Sequence, residues 1–263
     1  MQKVFEELTS AFRKHGGVLD EEHYQRIVTK HSTLLEDAET IFILLQASGY
    51  PIEQEGNRYK LQTCFTEHTQ QRYCVIDIET NGSKPGTSQV IEIGALMIQN
   101  GTIIDRFETF VECAFLPEYI TKITGIEPTD LIGAPSRREA LIALRHFMSD
   151  AVFVAHNASF DYSFLNASFE RVGLGNIGNP TLCTIELAKR TFESERYGLA
   201  YLIDLLEIER ATHHRAFSDA VCAAKVMEKS LQTLPQYIKS TDELLQFSVS
   251  SKKERRVKKE DKN

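Results

Sequence analysis

Between Tyr73 and Val111 three runs of apolar, largely β-branched residues follow one another, and they constrain the fold more than any other part of the chain. The first is Tyr73-Cys74-Val75-Ile76-Asp77-Ile78-Glu79-Thr80, the second runs from Val90 to Ile98, and the third from Ile103-Ile104 through Phe110-Val111. Such runs, bounded by turn residues, read as buried strands. A polar stretch rich in Gly, Ser and Pro separates the first two, and Asn100-Gly101 is a hairpin turn between the second and third. Beyond them the pattern alternates. A helix with Leu141, Leu144 and Phe147 leads to an apolar strand, Ala151 to Ala155, and then to a helix bearing Phe160, Phe164 and Leu165. Further helices are predicted around Ile185 to Arg190, Ala200 to Leu206 and Ala216 to Leu231. A hairpin meander followed by alternating helix and strand predicts an α/β fold, a mixed sheet flanked by helices.

The segment before this sheet reads differently. Phe5, Leu8 and Phe12 recur at helical spacing until Gly16-Gly17, and Asp20 is placed to cap a second helix carrying Tyr24, Ile27 and Val28. A third stripe, Ile41, Phe42 and Leu45, ends at Gly49; Ile52 to Gln54 and Arg58 to Leu61 then flank Glu55-Gly56-Asn57 as a β-hairpin. Three helices and a hairpin resemble a small winged-helix domain, so residues 1–68 are expected to form an accessory domain, 69–235 the main domain and 236–263 a C-terminal extension. Acidic residues outnumber basic ones in the first segment, which disfavours DNA binding by it. The last thirteen residues, Ser251 to Asn263, hold seven Lys/Arg and three acids with Val257 as the one large apolar residue, and are expected to be a disordered tail. Just before it, Asp242 to Phe247 reads either as a final helical turn packed on the core or as a short peptide that docks on a partner.

Composition narrows the setting. Met1 to Glu7 lack the apolar block of a secretory signal, and no run of about 18 apolar residues exists to span a membrane. The five cysteines are scattered without a CxxC pair, which argues against a disulfide framework or a zinc site. A cytoplasmic protein with no membrane partner is expected. The net charge of −7 does not mark a general nucleic-acid binder, yet an enzyme gripping a few nucleotides can use metal ions, backbone amides and aromatic faces instead.

Three segments carry chemistry. Asp77 and Glu79 sit two residues apart on a strand, so both side chains point to one face, about 7 Å apart along the chain. Two carboxylates there repel and are costly to desolvate; a divalent cation removes both penalties, and hard oxygen ligands suit magnesium or manganese. Alone, such a pair also arises by chance. In Ala155-His156-Asn157-Ala158-Ser159-Phe160-Asp161, Asn157 is placed to cap a helix whose first turns hold Asp161; taken alone, Asp161 reads as a helix-start acid favoured by the macrodipole. In His213-His214-Arg215-Ala216-Phe217-Ser218-Asp219, His214 precedes the last helix and Asp219 follows five positions on.

Together these segments resemble the histidine branch of the DEDD superfamily of 3′→5′ exonucleases, over about Tyr73 to Lys229. Its Asp-x-Glu-Thr motif matches Asp77, Glu79 and Thr80; its His-Asn-x-x-Phe-Asp motif matches His156, Asn157, Phe160 and Asp161; its His-x4-Asp motif matches His214, not His213, and Asp219. Within the branch the wording Asp-Ile-Glu-Thr-Asn-Gly, Ile-Thr-Gly-Ile and His-Asn-Ala-Ser-Phe-Asp is similar to the proofreading subunits of bacterial DNA polymerase III, which lack the extra N-terminal segment. In Ile123-Thr124-Gly125-Ile126 the chain has Thr124 where the family often has His. The resemblance implies a ribonuclease H-like fold and two divalent cations, Mg2+ or Mn2+, roughly 4 Å apart. It implies that Asp77, Glu79, Asp161 and Asp219 hold these ions, that His214 is the general base, and that nucleoside 5′-monophosphates are released. Thr80, Thr124, His156 and Phe160 are the implied nucleotide contacts.

The expected substrate is a single-stranded or frayed DNA 3′ end. A polymerase III catalytic subunit or sliding clamp is the further expected partner. An RNA-trimming exonuclease of the same branch is the alternative enzyme, since a 2′-hydroxyl is accepted or rejected by pocket shape. A non-catalytic polymerase-associated adaptor is the alternative of a different class.

Overall fold

The computed structural model describes residues 1–31, 37–209 and 215–250. In chain order its elements are α1 (Gln2–Lys14), β1 (Val18–Asp20), α2 (Glu21–Thr29), α3 (Ala38–Ala47), β2 (Ile52–Glu55), β3 (Arg58–Leu61), β4 (Tyr73–Thr80), β5 (Val90–Gln99) and β6 (Thr102–Phe110). These are followed by α4 (Glu118–Thr124), α5 (Arg137–Met148), β7 (Val152–Ala155), α6 (Ala158–Arg171), β8 (Thr181–Cys183), α7 (Thr184–Thr191), α8 (Leu199–Leu205), α9 (Ala216–Gln232) and α10 (Thr241–Val249). Short 3-10 turns follow β3 and α4. Among the described residues no helix is long and apolar enough to cross a membrane.

Five strands form one mixed sheet in the order β6-β5-β4-β7-β8, with the first three antiparallel and β4, β7 and β8 parallel. The predicted meander and the predicted α/β class are both present. Strand parity sorts the side chains of β4 between two layers. Cys74, Ile76 and Ile78, opposite Met97, Ala95 and Ile93, pack with residues of α5 and α6 such as Leu144 and Phe164. Tyr73 and Val75, with Leu96, pack on the other face against Leu187, Ala223, Met227 and Leu244. Asp77 and Glu79 continue this second parity and so belong to the face that α9 covers. Their cross-strand partners are Gly94 and Glu92.

Gly94 is where α9 crosses the sheet. A Cβ at this position would lie 2.1 Å from the Phe217 backbone nitrogen and 2.4 Å from Ala216 C and Phe217 Cα. The helix backbone itself therefore rests on the strand, closer than any side chain would allow.

Residues 2–64 build a second, smaller body around Leu8, Phe12, Tyr24, Val28, Ile41, Leu45 and Leu61, with Tyr24 stacked on Tyr59 at 3.8 Å between centroids. Asp20 and Asp37 cap α2 and α3 by accepting from the His23 and Thr40 amides at 2.8 and 2.7 Å. The hairpin at Gly56-Asn57 forms as expected, and a third strand, β1, which the sequence reading did not anticipate, pairs beside β3. Three residues are too few to show a period, so β1 is fixed by its partner rather than by its own pattern. The resulting order of elements is helix-strand-helix-helix-strand-strand. This body is fastened to the sheet domain. Arg13 donates to Asp242 through Nε and Nη2 (2.9 and 2.8 Å to Oδ1), the Gly178 amide to Ser48 O (2.7 Å), and Arg145 Nη1 to Ala47 O (3.1 Å).

Of the two readings of Asp242 to Phe247, the helical turn packed on the core is the one present: Ser240 accepts from the Glu243 amide, the Glu243 carboxylate accepts from the Ser240 amide, and Leu244, Leu245 and Phe247 of α10 are buried against the sheet. The expected C-terminal extension thus contributes a core helix, because three apolar side chains in one turn and a half bury more readily than they solvate. Asn157 does precede α6, but in the left-handed conformation (φ 72°), with no side-chain cap on the helix. Its Oδ1 accepts from Ser159 Oγ instead (3.2 Å). The expected basic tail, Ser251 to Asn263, and His213 and His214 lie outside the described residues.

Substituting Gly94→Ala is expected to destabilise the fold by about 3 kcal/mol, the upper part of the range for over-packing, because the new methyl meets backbone that cannot rotate away. Thermal unfolding of the purified variant measures this, and an unchanged Tm would show that α9 has room to lift.

Candidate active site

The carboxyl end of β4 opens toward the start of α9, and three acids meet there. Ligand oxygens of Asp77, Glu79 and Asp219 all lie within 4.8 Å of one another. Asp77 and Glu79 arrive by strand parity. Asp219 lies in the first turn of α9, where the close approach at Gly94 brings it down onto the strand. The fourth predicted acid, Asp161, stands in the first turn of α6, in the opposite layer. It is buried, falls outside the tight trio, and is the foremost charge acting on Asp77.

These acids bear the cost of their own assembly. Burial first, then repulsion from Asp161, Glu79 and Asp219, raises the Asp77 carboxyl well above its ordinary range. Burial, with Glu92, Asp219 and Asp161 nearby, pushes Glu79 up to about 8, while Arg215 acts in the opposite sense. Burial also raises Asp161, against the pull of its own backbone amide and that of Ile78. A set of oxygen donors, two half-buried and two buried, that raise one another's carboxyls fits a hard divalent cation, which favours their ionised forms. Asp77, Glu79 and Asp219 would hold it, with Asp161 at its margin.

Two residues that the sequence reading passed over hold α9 in place. Glu92 is buried on β5 beside Glu79. Its Oε1 accepts from Arg215 Nε (3.0 Å) and Nη2 (2.7 Å), and its Oε2 accepts from the Ala216 amide (3.1 Å). A carboxylate from the sheet therefore caps the helix that carries Asp219, where the helix dipole also favours negative charge. An acid and a glycine within the otherwise apolar run Val90 to Ile98 were the signal available in the sequence.

The expected nucleotide contacts fare unequally. Phe160 is half-buried at the start of α6, with its ring 5.5 Å from that of Phe164. The Thr80 hydroxyl donates to Gly82 O at 2.8 Å, which commits its proton and leaves its oxygen only as an acceptor. Thr124 is buried, and its hydroxyl donates to Ile120 O (3.0 Å) while accepting from the Ile126 amide (3.1 Å). Its side chain fastens the end of α4 rather than reaching outward. His156 places Nδ1 2.8 Å from Thr184 Oγ1, its Nε2 is buried without a hydrogen-bond partner, and burial lowers its pKa to about 4. Short polar residues at a helix end satisfy their own backbone, which motif spacing does not reveal.

The exonuclease family model matches residues 74–227, which includes every acid of the site. A DNA polymerase III of PolC type from Caldanaerobacter subterraneus subsp. tengcongensis is 38% identical over 190 residues, covering 71% of this chain and 13% of that protein. The PolC-type polymerase of Staphylococcus aureus strain RF122 is 37% identical over 167 residues, covering 62% and 12%. The chain thus spans about one eighth of the length of these curated relatives. Among solved structures, Escherichia coli exonuclease I with a dT13 oligonucleotide has a TM-score of 0.55 at 17% identity, over 62% of this chain and 41% of that one. Its zinc-bound complex with single-stranded DNA scores 0.56, also at 17% identity, over 62% and 41%. At that identity the likeness is one of fold. With more than half of its length under the family model, the chain belongs to the exonuclease family, in the DEDD group of 3′→5′ enzymes.

Proposed function

We propose that this chain removes nucleotides one at a time from DNA 3′ ends with two divalent cations, as a proofreading activity acting beside a polymerase in the cytoplasm. The observation that carries the reading is the meeting of Asp77, Glu79 and Asp219 within 4.8 Å, with Asp161 adjoining. Its setting in replication is supported by the similarity to PolC-type polymerases, and its substrate by the single-stranded DNA bound in the exonuclease I complexes.

In this reading the four carboxylates hold the cations, which when bound activate water and offset charge on the departing 3′ oxygen. The chain itself supplies position and proton transfer. Asp77, on which the other three acids all act, would be a ligand. His214, the histidine of the His-x4-Asp motif, is the general base that takes the proton from the attacking water. Thr80 offers backbone to the terminal nucleotide, and Phe160 offers its ring. A strand end must leave its duplex to reach buried acids, so a mispaired end, already cheap to unstack, is the better substrate.

The test uses purified protein with 3′-mispaired, 3′-paired and single-stranded DNA and matching RNA, in Mg2+ or Mn2+. Loss of single nucleotides, fastest at mispaired DNA ends, is expected. Asp77→Ala is expected to cost at least what one preorganised transition-state contact is worth, on the order of 10² to 10³ in kcat. Faster trimming of RNA would favour the RNA enzyme, and no cleavage of either by folded, metal-loaded protein would leave the adaptor.

The raised carboxyls also set a stability profile. Glu79 ionises near pH 4.5 when unfolded and at about 8 when folded. Its contribution is fully present below the lower value and is lost as pH rises through the upper one. Without metal, Glu79→Gln is therefore expected to be more stable than the parent at pH 9, by on the order of a few kcal/mol, and to match it near pH 4.5. Thermal unfolding across this pH range measures the gap, and a constant gap would rule the profile out. Divalent cation should narrow the gap at high pH by compensating the parent's charge.

A further inference from the structure

The five-stranded sheet ends at β6, and among the described residues no strand pairs with its outer side. Ile103 and Ile104 stand 45% and 54% exposed there, and Asp105, Arg106 and Glu108 are exposed as well. Hydrogen bonds show which backbone groups face out. The Val111 amide turns inward to Ile91 O (2.9 Å), so odd-numbered residues serve the ladder with β5. At even-numbered positions the partners are local. The Arg106 amide donates to Asp105 Oδ1 (2.8 Å), and Phe110 O accepts from Thr109 Oγ1 (2.8 Å).

This open edge has two stops. Ile104 is the extra residue of a bulge, since Met97 pairs with Asp105 and Ile98 with Ile103. Beyond Phe110 the Glu112 amide is taken by Pro135 O (2.9 Å). Between the stops lie Asp105 to Phe110, braced from both faces of the sheet. Phe107 rests on Phe147 of α5 at 5.5 Å between centroids, and Arg106 lies over the ring of Phe217 on α9 at 5.8 Å. A strand edge of this kind is a template for another strand.

Charge decides which strand fits. Arg106 and Glu108 carry opposite charges two residues apart, on the face that α9 covers. A second copy of β6, laid antiparallel about a two-fold axis, keeps odd residues opposite odd and even opposite even, so that the faces match. Centred on Asp105, Arg106 or Glu108, that axis sets a charge against its own copy. Centred on Thr109, it needs the Glu112 amide that Pro135 O occupies. Centred on Phe107, it sets Arg106 opposite Glu108 of the second copy, twice over, with Phe107 on Phe107 and Asp105 on Thr109. Arg106 and Glu108 both point their amides and carbonyls outward, so each such pair exchanges two backbone hydrogen bonds. Exposed Ile104 then falls toward Phe110 of the second copy.

We propose that β6 is a self-association surface, at which two copies of this chain join antiparallel about Phe107 into one continuous sheet. Asp77 and Glu79 sit on β4, two strands in from the join, so the acid clusters stay clear of it. The two clusters share a face of the joined sheet and open at opposite ends of it, because the strands of the two copies run in opposite directions. The inference is independent of what those acids do.

Sedimentation velocity of the full chain over a range of concentrations reads the association. The parent is expected to self-associate, and Arg106→Glu to weaken this at least about tenfold, because the two-fold axis repeats one reversal at both Arg–Glu pairs. Glu108→Arg should do the same, and the double variant Arg106→Glu with Glu108→Arg, which exchanges the signs, should restore association. Hydrogen exchange locates the contact: the Arg106 and Glu108 amides should exchange more slowly at high protein concentration in the parent, and not in Arg106→Glu. A chain that stays monomeric throughout would overturn the proposal. So would a dimer whose β6 exchange ignores concentration, or a double variant that associates no better than the single ones.

Discussion

Like charges brought together in a buried place repel, and the fold must hold them there by contacts made elsewhere. In this protein the decisive contact is the seat of α9 on β5. Gly94 lets helix backbone lie against strand backbone, and Glu92 binds both Arg215 and the first amide of the helix. Asp219 can then share space with Asp77 and Glu79, whose raised carboxyls record the cost. The two holding residues lie two apart on β5, directly across from the two acids on β4. One pair of strands thus carries both the repelling groups and the groups that contain the repulsion.

The division of labour across the sheet follows from parity alone. Cys74, Ile76 and Ile78 bury one face in aliphatic and aromatic contacts, which makes β4 a rigid rod. The other face begins as core at Tyr73 and Val75 and becomes acidic at its open end. The change from core to chemistry along a single strand is abrupt because successive residues on a face are only about 7 Å apart.

Much of this was legible in the amino-acid sequence. The apolar runs from Tyr73 to Val111 and the turn at Asn100-Gly101 announced the meander, and acids at positions 77, 79, 161 and 219 in motif context announced the site. What stayed hidden depends on tertiary neighbours. Glu92 and Gly94 look like interruptions of a strand until α9 is laid across them. The Thr124 hydroxyl looks available for a ligand until Ile120 and Ile126 are seen to engage it, and the partner of His156 Nδ1, Thr184, lies 28 residues on. Asp242 to Phe247 left two readings open because amphipathic turns look alike whether they dock on a partner or on their own domain, and Arg13 and Thr66, which meet α10, lie far away in sequence.

The order in which the acids occur along the chain has a consequence for synthesis. A ribosome delivers β4 early and α9 among the last elements, and α9 can settle only on a finished sheet. Until then Asp77 and Glu79 are two carboxylates without the third acid of their cluster. The acid cluster is thereby linked to completion: its third member arrives only with the last long helix of the sheet, seated on Gly94 and Glu92.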